Sequence, residues 1–122
     1  DLHSFPTRGS SDLGGEIFVP KIPSTTISDL ATLIGPRLNQ CVVGIRPGEK
    51  LHETMISADD SHWTVELEDR FAVLASYAVA MRDAYLHRGA RPVGEGFAYA
   101  SDSNPERLDA RGLQALLAKA LA

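Results

Sequence analysis

Cysteine is nearly absent: Cys41 stands alone among 122 residues, so the chain can build neither an internal disulfide nor a multi-cysteine metal site. Positive charge is scarce as well. Twelve Lys and Arg face 16 Asp and Glu for a formal net charge of -4, which argues against a basic footprint for nucleic acid or an anionic membrane. No apolar run approaches the roughly 18 residues of a spanning helix, and no basic-then-apolar leader opens the chain, so a cytoplasmic protein is expected. Aromatics make up 7%, and Trp63, Tyr77, Tyr85 and Tyr99 are not interleaved with cations, which assigns them to packing rather than to base stacking. Phosphate-binding glycine patterns are also missing: neither G-x-x-x-x-G-K-[ST] nor G-x-G-x-x-G occurs. No Tyr is followed four residues later by Lys, since those positions hold Met81, Gly89 and Ser103. What remains, 43% hydrophobic and 23% charged residues, is the balance of a globular chain of at most one domain.

Residues 1–13 (DLHSFPTRGSSDL) have no helical or strand period, read as disordered, and resemble a translated sequencing adaptor; they are set apart from the body, 14–122. Glu16 to Val19 reads as a strand closed by Pro20 and Pro23. Thr26 and Asp29 mark a helix start, Ile27, Leu30, Ala31 and Ile34 fall on one face, and Gly35-Pro36 stops it. Cys41 to Ile45 is a continuous apolar run suited to a buried strand, with Cys41 a small buried hydrophobe. Leu51 to Ile56 reads as a short helix, Ser57 to Ser61 as a polar loop, and Val65 to Val73 as one half-exposed strand. Ser76 to Gly96 has no clear pattern beyond a helical turn or two over Ala78 to Leu86. Asp109 caps a last helix with Leu113, Leu116, Leu117 and Ala120 on one face. The fold class is α/β or α+β, with too few strands for a complete doubly wound sheet.

The segment richest in chemistry is Gly44 to Glu53, GIRPGEKLHE. Pro47-Gly48 forces a tight turn that presents Arg46 and Glu49 from a fixed frame. A guanidinium there can grip diphosphate oxygens in two-pronged fashion, and a carboxylate three residues on can accept from both ribose hydroxyls. A solvated surface turn has the same spacing. His52 and Glu53 lack a second His at metal spacing, and Asp59-Asp60 with Glu66, Glu68 and Asp69 read as a solvated face rather than paired catalytic carboxylates. No catalytic, cofactor or metal ligand set is assigned.

GGEIFVPKIPS (Gly14 to Ser24), Ser28 to Ala31, GIRPGEKLHETMIS (Gly44 to Ser57), VELEDRFAVL (Val65 to Leu74) and GFAYASDSN (Gly96 to Asn104) together resemble the C-terminal third of the inverting UDP-N-acetylglucosamine 4,6-dehydratases of pseudaminic acid synthesis, within the extended short-chain dehydrogenase/reductase superfamily. Arg107-Leu108 departs from the Trp-Leu typical of such relatives, and Ala100 from their Ser. The resemblance implies a lyase of polysaccharide biosynthesis and flagellin glycosylation. In that lyase a bound NADP oxidises the sugar at C4, water leaves across C5 and C6, and hydride returns to C6 with inversion at C5. It further implies that this chain is the incomplete substrate-binding domain, inactive without an N-terminal Rossmann domain that carries NADP and the catalytic groups, in a homo-oligomeric parent. Carried over, Arg46 meets the UDP diphosphate, Glu49 the uridine ribose, and Asn104 lies near the nucleotide. A related capsule or surface-polysaccharide dehydratase or epimerase, and a stand-alone UDP-sugar binding or interaction module, are the competing readings.

Overall fold

The computed structural model describes residues 14–75 and 79–122; the adaptor-like arm 1–13, and Tyr77 with its neighbours Ser76 and Ala78, lie outside the described residues. The chain divides into two compact units built from interleaved segments. One comprises the residues up to Lys21 together with Thr54–Tyr99, and the other Ile22–Glu53 with Ala100–Ala122. Helices and strands are mixed, consistent with the α/β class and with sheets that do not close.

The first unit is organised by β-branched and aromatic residues in short alternating runs. Its antiparallel sheet has the order β1-β4-β3-β5, from β1 (Ile17–Pro20), β4 (Arg70–Val73), β3 (Thr64–Glu66) and β5 (Arg91–Pro92). Register pairs Val19 with Phe71 and Val65 with Ala72. Because side chains alternate across a strand, this register divides the apolar residues between two faces. On one face Val65, Ala72, Leu74, Tyr85 and Ala90 are buried together, with α2 (Val79–His87) supplying Tyr85. On the other, Val19, Ile56, Phe71 and Tyr99 pack, Phe71 lying 5.1 Å from the Phe97 ring and 5.0 Å from that of Tyr99. The buried Tyr85 hydroxyl donates to the Glu16 carboxylate at 2.8 Å, so its polar end is satisfied. β2 (Thr54–Ile56) pairs with β6 (Tyr99–Ala100) in a separate two-stranded ladder.

Several expectations in this unit are corrected. The run Val65 to Val73 is not one strand but a hairpin, β3 and β4, closed by the Leu67 N–H on the Arg70 carbonyl at 2.8 Å. Leu51 to Ile56 does not form a helix, because β-branched Thr54 and Ile56 are taken up in β2. The polar stretch after Ser57 is a short 3-10 helix, Ala58–Trp63, and its Ser61 is buried. Glu66 is not simply solvated: it accepts from Lys21 Nζ at 2.6 Å and lies 3.6 Å from Arg91.

The second unit has little apolar core. Helix α1 (Ile27–Ile34) has no fully buried residue, and α3 (Ala110–Leu121) buries only Leu113. Capping defines both. Thr26 Oγ1 accepts from the Asp29 N–H at 3.1 Å, and Asp109 Oδ1 from the Gly112 N–H at 2.7 Å, each satisfying one donor that the helix start leaves unpaired. Thr26→Ala is expected to destabilise α1 by about 1 kcal/mol, read as several-fold faster amide exchange at Asp29 with no change at Val65.

The expected buried strand Cys41 to Ile45 is not one. The segment is exposed, Val42 being 96% accessible, and Cys41 is exposed with it. Two local causes act together. Gly44 has φ +88°, which ends extended geometry at Val43. Upstream, Gln40 is held to α1 by side chains, its amide donating to Thr32 Oγ1 at 2.7 Å and its carbonyl accepting from Ser28 Oγ at 3.2 Å, so the chain is tethered without a ladder.

Candidate functional site

The Arg46 to Glu49 turn forms as the Pro-Gly pair dictates. Gly48 takes φ +84° at the position after Pro47, the type II pattern, and the Glu49 N–H donates to the Arg46 carbonyl at 3.1 Å. The Glu49 carboxylate closes the turn a second time, accepting from the Arg46 N–H at 3.0 Å and standing 3.5 Å from Arg46 Nε. The turn is therefore fixed by three contacts between its ends, while the Arg46 side chain remains 83% accessible and able to reach a ligand.

The turn leads into a groove of about 990 Å³ that lies wholly within the second unit. One part of its wall is the stretch Glu49 to Glu53 with Val42 to Ile45; another is the approach to α1, Thr25 to Ile27; Ser101, Asp102 and Arg107 complete it. Long-range pairing assembles these pieces. Ser101 exchanges two bonds with Glu53, its N–H donating to the Glu53 carbonyl at 2.8 Å and its hydroxyl accepting from the Glu53 N–H at 2.9 Å. His52 Nε2 lies 3.6 Å from the Asp102 carboxylate. Ser24 forms a parallel bridge with Arg107. Among the described residues no three His, Cys, Asp or Glu side chains cluster as a metal site.

Glu49 thus lines the groove and Arg46, paired with it across the turn, stands next to the lining, whereas Asn104 is not part of it. Asn104 is buried: its amide nitrogen donates to the Ile22 carbonyl at 2.8 Å and to Ser24 Oγ at 3.0 Å, and its Oδ1 accepts from the Glu106 N–H at 3.1 Å. It acts as a strut beneath the wall. The residues that sequence reading passed over are Ser101, Asp102 and Arg107 in this role, because only pairing with Glu53, His52 and Ser24 makes them wall residues.

The connection from β1 to α1, residues 21–26, contains no glycine, and Ser24 within it is engaged by 106–108, so this strand-to-helix turn does not fit a dinucleotide pyrophosphate.

The "Polysaccharide biosynthesis protein" family model matches residues 7–75, beginning inside the arm set apart above. Two curated relatives are UDP-N-acetylglucosamine 4,6-dehydratases (inverting) of Campylobacter jejuni. That of serotype O:2 is 48% identical over 75% of this chain, and that of serotype O:23/36 is 46% identical over 76%. The chain spans 29% of the length of each. An uncharacterized membrane protein of Methanocaldococcus jannaschii is 38% identical over 49% of the chain and 21% of its own length. Pen from Bacillus thuringiensis shares the fold, with a TM-score of 0.70 at 24% identity over 88% of this chain and 32% of that one. With more than half its length matched, the chain belongs to the polysaccharide biosynthesis protein family.

Proposed function

We propose that the second unit binds the UDP moiety of UDP-N-acetylglucosamine or a closely related UDP-sugar, as the substrate-binding share of an inverting UDP-N-acetylglucosamine 4,6-dehydratase acting in the cytoplasm. The observation that carries this is the doubly closed Arg46 to Glu49 turn, whose Glu49 lines the groove. It presents a fork of N–H donors for phosphate and, one turn away, a carboxylate with acceptor capacity beyond its turn bonds. Relatives nearly half identical over three quarters of the chain, and named for that reaction, support the substrate class.

In this reading the chain binds and orients the sugar nucleotide. NADP, the redox step and proton transfer belong to a Rossmann-type domain in the length of such an enzyme that this chain does not span, within a homo-oligomer. The residues described here do not fit the cofactor, so no step through it is assigned to them. The exposed apolar run Cys41 to Ile45 agrees with the same reading, since an unpaired run of strand-forming residues is the kind of surface that further polypeptide covers. Asn104 serves the site as a positioning residue, through the wall it supports.

Calorimetric titration of the chain with UDP-N-acetylglucosamine, UDP and uridine tests the proposal. Saturable binding of the first two, tighter by about tenfold or more than uridine, is expected from the charge-assisted phosphate contacts. Equal affinity for UDP and uridine, or no binding of either, would overturn it.

A further inference from the structure

We propose that Arg107 is a second phosphate-binding residue of the groove, acting on the diphosphate together with Arg46; the inference rests on the UDP-binding reading above.

The backbone at Arg107 is fixed on both sides. The Ser24 N–H donates to the Glu106 carbonyl and the Leu108 N–H donates to the Ser24 carbonyl, each at 2.8 Å, and Arg107 forms the bridge between them. Its side chain is fixed too, Nη1 donating to the Ser101 carbonyl at 2.9 Å. Ser101 is in turn held by its two bonds to Glu53. A guanidinium is planar and carries five N–H donors in set directions, so anchoring one of them to a fixed carbonyl orients the rest. That orientation is attained before a ligand arrives, which removes part of the side-chain entropy cost of gripping an oxyanion.

Charge and anchoring together point to the same residue. The lining holds two cations, Lys50 and Arg107, and Arg46 stands on the adjoining turn facing Glu49; of the two lining cations Arg107 is the one anchored by a hydrogen bond, to the Ser101 carbonyl, and among the described residues it has no carboxylate partner. An anchored guanidinium without a counter-charge on a groove wall has an unmet preference for an anion. It shares that wall with Thr25, Thr26 and Glu49, so a ligand that reaches Glu49 of the turn enters the same cavity. Two arginines from segments far apart in sequence would then hold the diphosphate, and the nucleoside would be sensed separately.

The test is titration of the chain and its Arg107→Gln and Arg107→Lys variants with UDP and with uridine, alongside Arg46→Gln. Arg107→Gln is expected to weaken UDP by about tenfold while changing uridine by less than about twofold, with Arg107→Lys in between. Unchanged UDP affinity in Arg107→Gln, with loss in Arg46→Gln, would overturn the role of Arg107 and leave the UDP reading standing. Equal loss for UDP and uridine would show a merely structural part and overturn it as well. Absence of UDP binding to the unaltered chain would remove both readings. Should the variants fail to fold, the Arg107 Nε–H resonance of the unaltered chain decides: a shift on adding UDP but not uridine is expected, and no shift under saturating UDP refutes the contact.

Discussion

Replacing Arg46 by alanine is expected to weaken UDP binding by about 2 to 3 kcal/mol, on the order of 30-fold to 150-fold, and to leave uridine binding nearly unchanged. The asymmetry follows from the geometry. The Arg46 backbone, not its side chain, supplies the two hydrogen bonds that close the turn, through its carbonyl to the Glu49 N–H and its N–H to the Glu49 carboxylate. Truncation at Cβ therefore keeps the turn and deletes only the guanidinium, whose single ion-pair contact is the loose 3.5 Å approach to Glu49. Glu49→Ala should behave differently. It releases the Arg46 N–H and removes the proposed ribose acceptor together, so both UDP and uridine should weaken. Calorimetry on the two variants separates the roles, and an Arg46→Ala chain that binds UDP as tightly as the unaltered one would sink the assignment of the turn to the diphosphate.

How much of this was legible in the sequence depended on whether the cause was local. The starts of α1 and α3 were readable because Thr26 and Asp109 cap donors within three residues of themselves. The Pro47-Gly48 turn was readable for the same reason, its geometry being set by one fixed and one permissive φ angle. Strand limits were not. Val65 to Val73 shows alternation on both sides of a tight hairpin, and nothing in the pattern marks Leu67 to Asp69 as the reversal. Thr54 to Ile56 became a strand because Tyr99–Ala100 pairs with it from far along the chain. Cys41 to Ile45 shows the opposite error: apolar composition states a preference for burial but supplies neither neighbour nor ladder. The site divided along the same line. Arg46 and Glu49 stand three apart and could be read together, whereas Arg107, Ser101 and Asp102 join them only through pairings some fifty to eighty residues long.

Asn104 yields the second large effect. Asn104→Ala is expected to destabilise the second unit by about 3 kcal/mol, since it deletes three hydrogen bonds of a buried side chain and leaves the Glu106 N–H without its acceptor. The loss should be large because the unit has little else to rely on: among its described residues only Ala100 and Leu113 are buried apolar groups, so a polar network does the joining that hydrophobic packing does in the first unit. The network also carries the wall. With Asn104 gone, the Ser24 and Leu108 amides, which bond across the 24 to 107 bridge, should exchange with solvent about a hundredfold faster, while those of Val65 and Ala72 in the first unit keep their protection. Ser24→Ala, which removes one of the three partners, should cost only about 1 kcal/mol. Because the strut supports the groove without lining it, UDP and uridine should weaken in the Asn104 variant by the same factor. A selective loss of UDP would place the Asn104 amide against the diphosphate itself, and unchanged exchange at Ser24 and Leu108 would show that the bridge stands without it.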